Sequence, residues 1–222
     1  VTVTVEVKDA ELAVTSTTFQ LTVTPVNEAP AGTDKTLTIN EDTPYTFATA
    51  DFGYSDLNGA PANAFQAVKF TTLPAAGTLT NDGVAVGVGT SVSTADIAAG
   101  RLVYTPALDA NGIGYASFSF QGQDDGGTAN GGIDLDPVTR TFTFDVSAVN
   151  DAPVNTVAAA QATDEDKAIQ IKESRGNAIT VSDVDSDSLT VTVTTSNGTL
   201  FAPPNPNTII TGNRTSKLTT SA

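Results

Sequence analysis

The sequence predicts an all-β protein in which antiparallel β-sandwiches follow one another along the chain, joined by short linkers. Apolar and polar residues alternate with the period of two that strands require, as in Val1/Val3/Val5/Val7. Asn-Gly, Asp-Gly and Gly-Gly pairs separate such runs, and no long segment has the 3.6-residue period of a helix. A heptapeptide that occurs twice then indicates more than one sandwich.

The repeated heptapeptide is residues 25–31, which recur almost unchanged as residues 148–154. Each copy follows an alternating apolar run and contains a proline, which cannot continue a strand ladder. Its two asparagines, Asn27 and Asn150, are 150 − 27 = 123 positions apart, the size of one β-sandwich. The predicted parts are residues 1–27 as the end of one repeat, 28–150 as a complete repeat and 151–222 as the start of a third. The chain has no Met and both ends fall within a repeat, so we expect a piece of a longer polypeptide.

Within the first two parts the same signals place strands, core and turns. The run Val1/Val3/Val5/Val7 predicts a half-buried strand, and the alternating aromatic residues of 116–120 and 142–144 predict core. Residues 94–100 are the one helix-like segment, a single turn that Thr94 caps and Gly100 ends. Asn81-Asp82-Gly83 and Asn111-Gly112 are interpreted as turns.

The third part repeats the second in outline. Glu41-Asp42 is matched by Glu165-Asp166, Ser55-Asp56 by Ser182-Asp183, and Gly77-Thr78-Leu79 by Gly198-Thr199-Leu200. This ordered register predicts homologous repeats.

Composition excludes several classes of function. The net charge is −15, from 25 acidic and 10 basic residues, so nucleic acid and anionic membranes would repel the chain. Neither Cys nor His is present, which removes zinc sites and catalytic triads built on those residues. With no Trp and 4 Tyr there is little platform for stacking a sugar. We expect no catalysis, no nucleic-acid partner, no membrane insertion of this segment and no small-molecule ligand.

The motifs, taken together and in order, resemble the bacterial cadherin-like tandem repeats of very large secreted adhesins. They are the Val-Asn-Asp-Ala-Pro linker, Glu-Asp-Thr, Ser-Asp-Xaa-Asp, Tyr104-Thr105-Pro106, Asn111-Gly112 and Asp124-Asp125-Gly126-Gly127. The resemblance covers essentially the whole chain. It implies cadherin/immunoglobulin-like β-sandwiches, Ca²⁺ held between successive repeats, adjacent repeats as partners, and a location outside the cell at its surface.

The resemblance also implies which residues bind Ca²⁺. For the later linker these are Glu41 from the preceding repeat, Asn150 and Asp151 from the linker, and Asp183 and Asp185 from the following repeat, with Asp187 as a further candidate. For the earlier linker they are Asn27, Glu28, Asp56 and Asn58, together with Asp124 or Asp125.

The sequence departs from the family pattern in ways that affect the metal. Ser147 and Ala148 stand where the family linker has a further Asp, so we expect fewer ions at each linker. Glu28 and Asn58 replace aspartates, which lowers the expected affinity of the earlier site. Glu165 would serve a linker outside this chain, and Asp42 and Asp166 are expected to be exposed or capping.

Calcium suits these residues because it takes six to eight hard oxygen ligands in a flexible arrangement, whereas Mg²⁺ demands a tight octahedron. Close carboxylates without a cation repel one another by roughly 1 kcal/mol per pair in water and up to about 4 kcal/mol near a protein surface. The alternative interpretation is that the Asp, Asn and Gly clusters only form turns and caps.

Three functions follow as hypotheses. The first is a calcium-stiffened spacer in a cell-surface adhesin involved in adhesion and biofilm, whose repeats hold a distant binding domain away from the cell. The second is a self-assembling surface filament or sheath in which neighbouring chains complete each other's sheets. The third, a carbohydrate-binding module, has only exposed polar loops in its favour.

Overall fold

The computed structural model describes residues 1–57, 62–203, 209–211 and 217–221. The described chain is all-β, with several mostly antiparallel sheets and very little helix, which confirms the predicted class. It divides into two compact units, Val1–Ala148 and Val149–Ala222. The prediction of three parts is not tested by this division and stays a prediction.

The first unit begins with a hairpin of two strands, β1 (Thr2–Lys8) and β2 (Val14–Gln20). The strands are antiparallel, with Val3 opposite Phe19, and the Asp9 side chain closes the loop by accepting hydrogen bonds from two backbone amides. The predicted strand is therefore confirmed. Its predicted half-burial is wrong, since Val5 and Val7 are exposed. A two-stranded hairpin has no second layer of its own to cover a face.

The remainder of the first unit, called here the central module, contains two sheets. Its strands are β3 (Lys35–Asn40), β4 (Tyr45–Thr46), β5 (Phe65–Phe70), β6 (Thr78–Asn81), β7 (Val84–Ala85), β8 (Ser91–Ser93), β9 (Leu102–Thr105), β10 (Gly112–Asp124) and β11 (Arg140–Ser147). One sheet has the order β3-β11-β10-β5-β8 and the other the order β4-β9-β6-β7. Short 3-10 helices lie at Thr49–Phe52 and Ala129–Gly131.

The core of the central module is aromatic and draws on both sheets. Phe118 and Phe142 are fully buried and stack with ring centroids 5.3 Å apart, while Tyr104 of the second sheet stacks on Phe144 at 4.1 Å. The predicted aromatic core is confirmed, because period-two alternation puts these side chains on one face of each strand. The result is a β-sandwich-like packing of two sheets.

One strand pair departs from the antiparallel prediction. β3 pairs with β11 in parallel, with Lys35 opposite Phe142 and Asn40 opposite Ser147. Alternation encodes which face a residue occupies and not the direction of the strand, so the sequence pattern could not reveal this. Because the first and last strands run the same way, the chain enters the module at one end and leaves it at the other.

The single helical turn α1 spans Thr94–Ala98. Its N-cap is Ser93, whose Oγ accepts a hydrogen bond from the Asp96 amide at 3.1 Å, so the predicted cap at Thr94 is wrong by one residue. The Thr94 hydroxyl instead donates to backbone carbonyls of Phe65 and Gln66. Gly100 follows the turn with φ +72°, the left-handed conformation typical of a helix end.

The second unit contains β12 (Val154–Thr156) paired with β13 (Thr180–Ser182), and a sheet of β14 (Thr190–Thr194), β16 (Lys217–Ser221) and β15 (Ile209–Thr211). Local features of the central module recur in it in the same order. The Val154–Ser182 pair matches the Ala31–Ser55 bridge. Asp166 and Asp42 both have positive φ, and each unit has a short 3-10 helix that ends at a left-handed glycine, Gly176 in one case and Gly53 in the other.

Candidate metal centres

Acidic side chains gather at the two ends of the central module. β10 has 13 residues and runs between these ends, a length of about 40 Å at strand geometry. Its last residue, Asp124, lies at the end where the chain enters, and Gly112 lies where it leaves, next to Val146. We call these the entry end and the exit end.

At the entry end, the linker residue Asn27 is inserted into the loop that follows β10. Its Nδ2 donates to Asp124 Oδ1 at 2.9 Å, to the Ile133 carbonyl at 2.8 Å and to the Gly127 carbonyl at 3.2 Å. The Asn27 carbonyl accepts a hydrogen bond from the Ile133 amide at 3.0 Å. Three acceptors around Nδ2 fix which way the amide faces, and they fasten the linker to this end of the module.

Glycine is required where Asn27 enters the loop. A Cβ on Gly126 would lie 2.1 Å from Asn27 Oδ1 and 2.3 Å from its Cγ. A Cβ on Gly132 would lie 3.0 Å from Asn27 Cβ and 2.9 Å from the Gly127 carbonyl. The two glycines therefore form a cradle whose width matches one asparagine side chain.

Two oxygens at the entry end are buried and have no hydrogen-bond partner among the described residues, Asn27 Oδ1 and Asp124 Oδ2. Asp124 is only 1% exposed, and its other oxygen accepts from Asn27 Nδ2 and the Gly126 amide. A buried polar atom without a partner costs about 1–3 kcal/mol, and more when it is charged. A bound cation or an ordered water would satisfy these two oxygens.

Two more carboxylates lie beside this pair. Asp56 is 7% exposed and its Oδ2 accepts from the Asn63 amide at 2.6 Å, while Asp125 Oδ1 accepts from the next amide, that of Ala64, at 2.8 Å. Burial, as the largest cause, and the negative charges of Asp56, Asp124 and Asp125 together raise the pKa of Tyr54 to about 12. The charges of all three carboxylates therefore act on the Tyr54 hydroxyl.

The oxygens at the entry end fit a divalent cation of the hard type. They comprise the buried carboxylate of Asp124 and the amide oxygen of Asn27, with the carboxylates of Asp56 and Asp125 in the same region. Ca²⁺ takes such carboxylate and amide oxygens as ligands. Asn27 and Asp124 are the residues that would hold it through their two buried oxygens, and Asp56 and Asp125 add negative charge nearby.

The exit end presents a second acidic group. Glu41 is 2% exposed and its Oε2 accepts from Asn111 Nδ2 at 2.9 Å. The next residue, Asp42, accepts from the Asp109 amide at 3.0 Å, and the carboxylate oxygens of Asp42 and Asp109 lie within 4.8 Å of each other. Asp42 is exposed and ties a loop, in keeping with the expectation of an exposed or capping residue.

In the second unit, Asp151 and Asp185 are brought together. The Asp151 amide donates to Asp185 Oδ2, and carboxylate oxygens of the two residues lie within 4.8 Å of each other. Asp183 Oδ1 accepts from the amides of Asp185 and Ser186, the bonding of an Asx turn. Asn150 Nδ2 donates to the Asp151 carbonyl, so the asparagine side chain bonds to the backbone of the next residue.

The other sequence candidates take varied positions. Glu28 and Asp187 are exposed, and Asn58 lies outside the described residues. Sequence reasoning missed the contribution of Gly126 and Gly132 to the Asn27 cradle. It also interpreted Asn111-Gly112 only as a turn, whereas the Asn111 side chain holds the buried Glu41. These contacts join residues far apart in sequence, and local patterns carry no signal for them.

Two buried carboxylates at the entry side are structural rather than candidates for metal. Asp136 accepts from the Gly32 amide and from Arg140 Nε at 2.9 Å. Asp51 accepts from Lys35 Nζ at 2.6 Å. Burial of Asp51 opposes its ionisation, but hydrogen bonds from Lys35, the Ala48 amide and the Tyr45 hydroxyl outweigh burial and lower its pKa. Each of these carboxylates already has its cation.

No model of a known protein family matches this sequence, and no curated protein matches it either. None of the helices in the described residues has both the length and the apolar character needed to cross a membrane. The site geometry therefore carries the functional argument.

Proposed function

We propose that this chain is a calcium-stiffened, non-catalytic spacer segment of a large bacterial cell-surface adhesin, built from cadherin-like tandem β-sandwiches and located outside the cell. The observation that carries the proposal is the insertion of linker residue Asn27 beside the buried, partnerless Asp124 Oδ2. A cation there would tie the linker to the module it precedes.

The path of the chain through the central module supports the proposal that each module lengthens the array of repeats. Parallel pairing of β3 and β11 makes the chain enter and leave at opposite ends. In many domains the two chain termini lie close together instead. Such a domain can be inserted into another domain, but it adds little to the length of an array. Repeats that pass the chain from end to end add their lengths, so the span of the array grows with repeat number.

Cation binding supports a role in stiffness. In the metal-free state, the carboxylates at the entry end repel one another, and hydrogen bonds of Asn27 and of the Ala31 backbone hold the linker. A cation coordinated by both buried oxygens would replace this repulsion with attraction. Because it binds only the folded linker, it would stabilise that state. The recurrence of the linker motif in the sequence supports a linker at each repeat boundary, with Asn150 bonded to the Asp151 carbonyl at the later one.

A protease assay tests the proposal at the linker itself. Glu28 is exposed and lies one residue after Asn27, so a glutamate-specific protease has access to it whenever the linker detaches. With Ca²⁺ we expect cleavage after Glu28 to slow at least tenfold relative to EGTA, while cleavage after Glu11 in the hairpin loop is unchanged. Equal cleavage rates at Glu28 with and without Ca²⁺ would contradict the proposal.

A further inference from the structure

The first and last strands of the central module, β3 and β11, are direct neighbours in one sheet and run parallel. Six positions pair without interruption, from Lys35 opposite Phe142 to Asn40 opposite Ser147. At strand geometry the paired stretch is about 20 Å long. The chain therefore enters the module along one strand and leaves it along the neighbouring strand, so a force carried through the module passes between these two strands.

Tension on the chain loads this pair along the strand direction. β3 begins at the entry end and β11 finishes at the exit end, so tension pulls the start of β3 one way and the end of β11 the opposite way. The hydrogen bonds between parallel strands are evenly spaced and lie across this direction. They therefore share the load and must fail together, whereas strands that are pulled apart from one shared end lose their bonds one at a time.

Further hydrogen bonds extend the pair beyond the ladder at both ends. At the entry end, the Thr141 amide donates to Asp34 Oδ1 at 2.8 Å. At the exit end, the Glu41 amide donates to the Ser147 carbonyl at 2.9 Å. Both contacts join the β3 segment to the β11 segment, so sliding of one strand past the other breaks them together with the ladder.

Side chains also hold β3 in its register. Lys35 Nζ lies 2.6 Å from Asp51 Oδ1, and the buried Glu41 accepts from Asn111 Nδ2 at 2.9 Å. Two apolar side chains of β3 pack against the core, Leu37 and Ile39. A slip of one residue along β11 would take both of them off the core face, because side chains alternate between the faces of a sheet. Core packing and the polar contacts therefore oppose the same sliding motion.

We propose that β3 and β11 form a mechanical clamp that keeps the central module folded when the chain is under tension. The clamp consists of residues 34–41 and 141–147. It depends on strand pairing and does not require the cation. Its use in an array of repeats rests on the proposed function, because a spacer that holds a binding domain away from the cell carries any pull on that domain.

The test stretches the full chain in optical tweezers between DNA handles attached to two cysteines. The chain has no Cys, so each introduced pair is unique. Glu28→Cys with Ala148→Cys applies force along the clamp from opposite ends of the module. Thr43→Cys with Ala148→Cys applies force at the exit end only, so the same two strands are peeled apart. All three positions are exposed, and EGTA is present throughout so that Ca²⁺ makes no contribution.

We expect the pair at 28 and 148 to rupture at about three times the force of the pair at 43 and 148 or more, at the same loading rate, because the ladder bonds share the load in the first geometry and fail in turn in the second. Equal rupture forces in the two geometries would overturn the proposal. Since both measurements are made in EGTA, this result is independent of whether the entry end binds Ca²⁺.

Proline substitutions test whether the ladder itself carries the force. The Glu41 amide faces β11, and backbone groups alternate in direction along a strand, so the Leu37 amide also faces β11 and the Thr38 amide faces away. In the 28 and 148 geometry, Leu37→Pro should rupture at a force lower than Leu37→Ala by about a fifth or more, because proline removes one of the few ladder donors. Thr38→Pro should keep the wild-type force.

Leu37→Ala is the matched control, because it removes the same apolar side chain and keeps the amide. If Leu37→Pro and Leu37→Ala rupture at the same force, core packing bears the load and the clamp is wrong. A far-UV melting curve checks that each variant is folded. If Leu37→Pro does not fold, the comparison of the two pulling geometries decides the proposal by itself.

Discussion

Replacing Asp124 by Asn removes the negative charge of the buried carboxylate but keeps the shape of the side chain. The new Oδ1 can still accept from Asn27 Nδ2 and the Gly126 amide, so the hydrogen bonds of the cradle remain. What is lost is the negative charge and the oxygen that has no partner among the described residues. The variant therefore changes the affinity for a cation without enlarging or filling the site.

The expected effects differ between the metal-free and calcium-bound states. In EGTA, relief of repulsion from the neighbouring carboxylates, about 1–4 kcal/mol, offsets the cost of a new unpaired amide, about 1–3 kcal/mol. The melting temperature should then stay within a few degrees of wild type. With Ca²⁺ at about one hundred times its dissociation constant, the wild type gains about 2.7 kcal/mol, or roughly 10 °C for a module of this size.

Calorimetry with Ca²⁺ and with EGTA measures this difference. Asp124→Asn should lose more than half of the calcium-induced rise in melting temperature, and Asp134→Asn, outside the cradle, should keep it. If the variant gains as much from Ca²⁺ as the wild type does, Asp124 binds no cation and the entry-end site is wrong.

Three further predictions concern other residues of the central module. Gly126→Ala should expel Asn27, destabilise the linker by about 1–3 kcal/mol and expose Glu28 to protease even with Ca²⁺; slow cleavage would contradict this. Calcium should lower the pKa of Tyr54 below about 12, since it offsets the three carboxylates, although the larger effect of burial remains. An ultraviolet titration of wild type against Tyr54→Phe measures this change, and an unchanged pKa places the cation elsewhere. Lys35→Met should leave Asp51 buried without its cation and lower the free energy of unfolding by about 1–3 kcal/mol at neutral pH, the lower end allowing for partial exposure of Lys35. The lowered pKa of Asp51 makes this contribution present above about pH 4 and lost as the pH falls further, so the two proteins should converge in acid urea titrations.

The sequence revealed the strand content and core because period-two alternation reports directly which face is buried. Phe118, Phe120, Phe142 and Phe144 follow that rule and are all completely buried. The same pattern was misleading for Val1–Val7, since alternation indicates that a face needs cover and not that cover is present. It also left the parallel β3–β11 pairing undetermined, because direction leaves no trace in the pattern.

The candidate site was only partly predictable. Asn27 and Asp124 came from a resemblance of ordered motifs, and the structure places their side chains 2.9 Å apart although 97 positions separate them. The cradle glycines gave no signal, because a glycine in a turn-rich loop ordinarily indicates backbone conformation rather than close approach of a side chain. Asn111 shows the same limit, since its side chain contacts Glu41 from 70 positions away.

A crystal structure of the chain grown with Ca²⁺, with anomalous diffraction data, tests the central claim most directly. We predict an anomalous peak about 2.3–2.6 Å from both Asn27 Oδ1 and Asp124 Oδ2. Well-ordered density for these two side chains with no peak between them would show that the linker is held by hydrogen bonds alone.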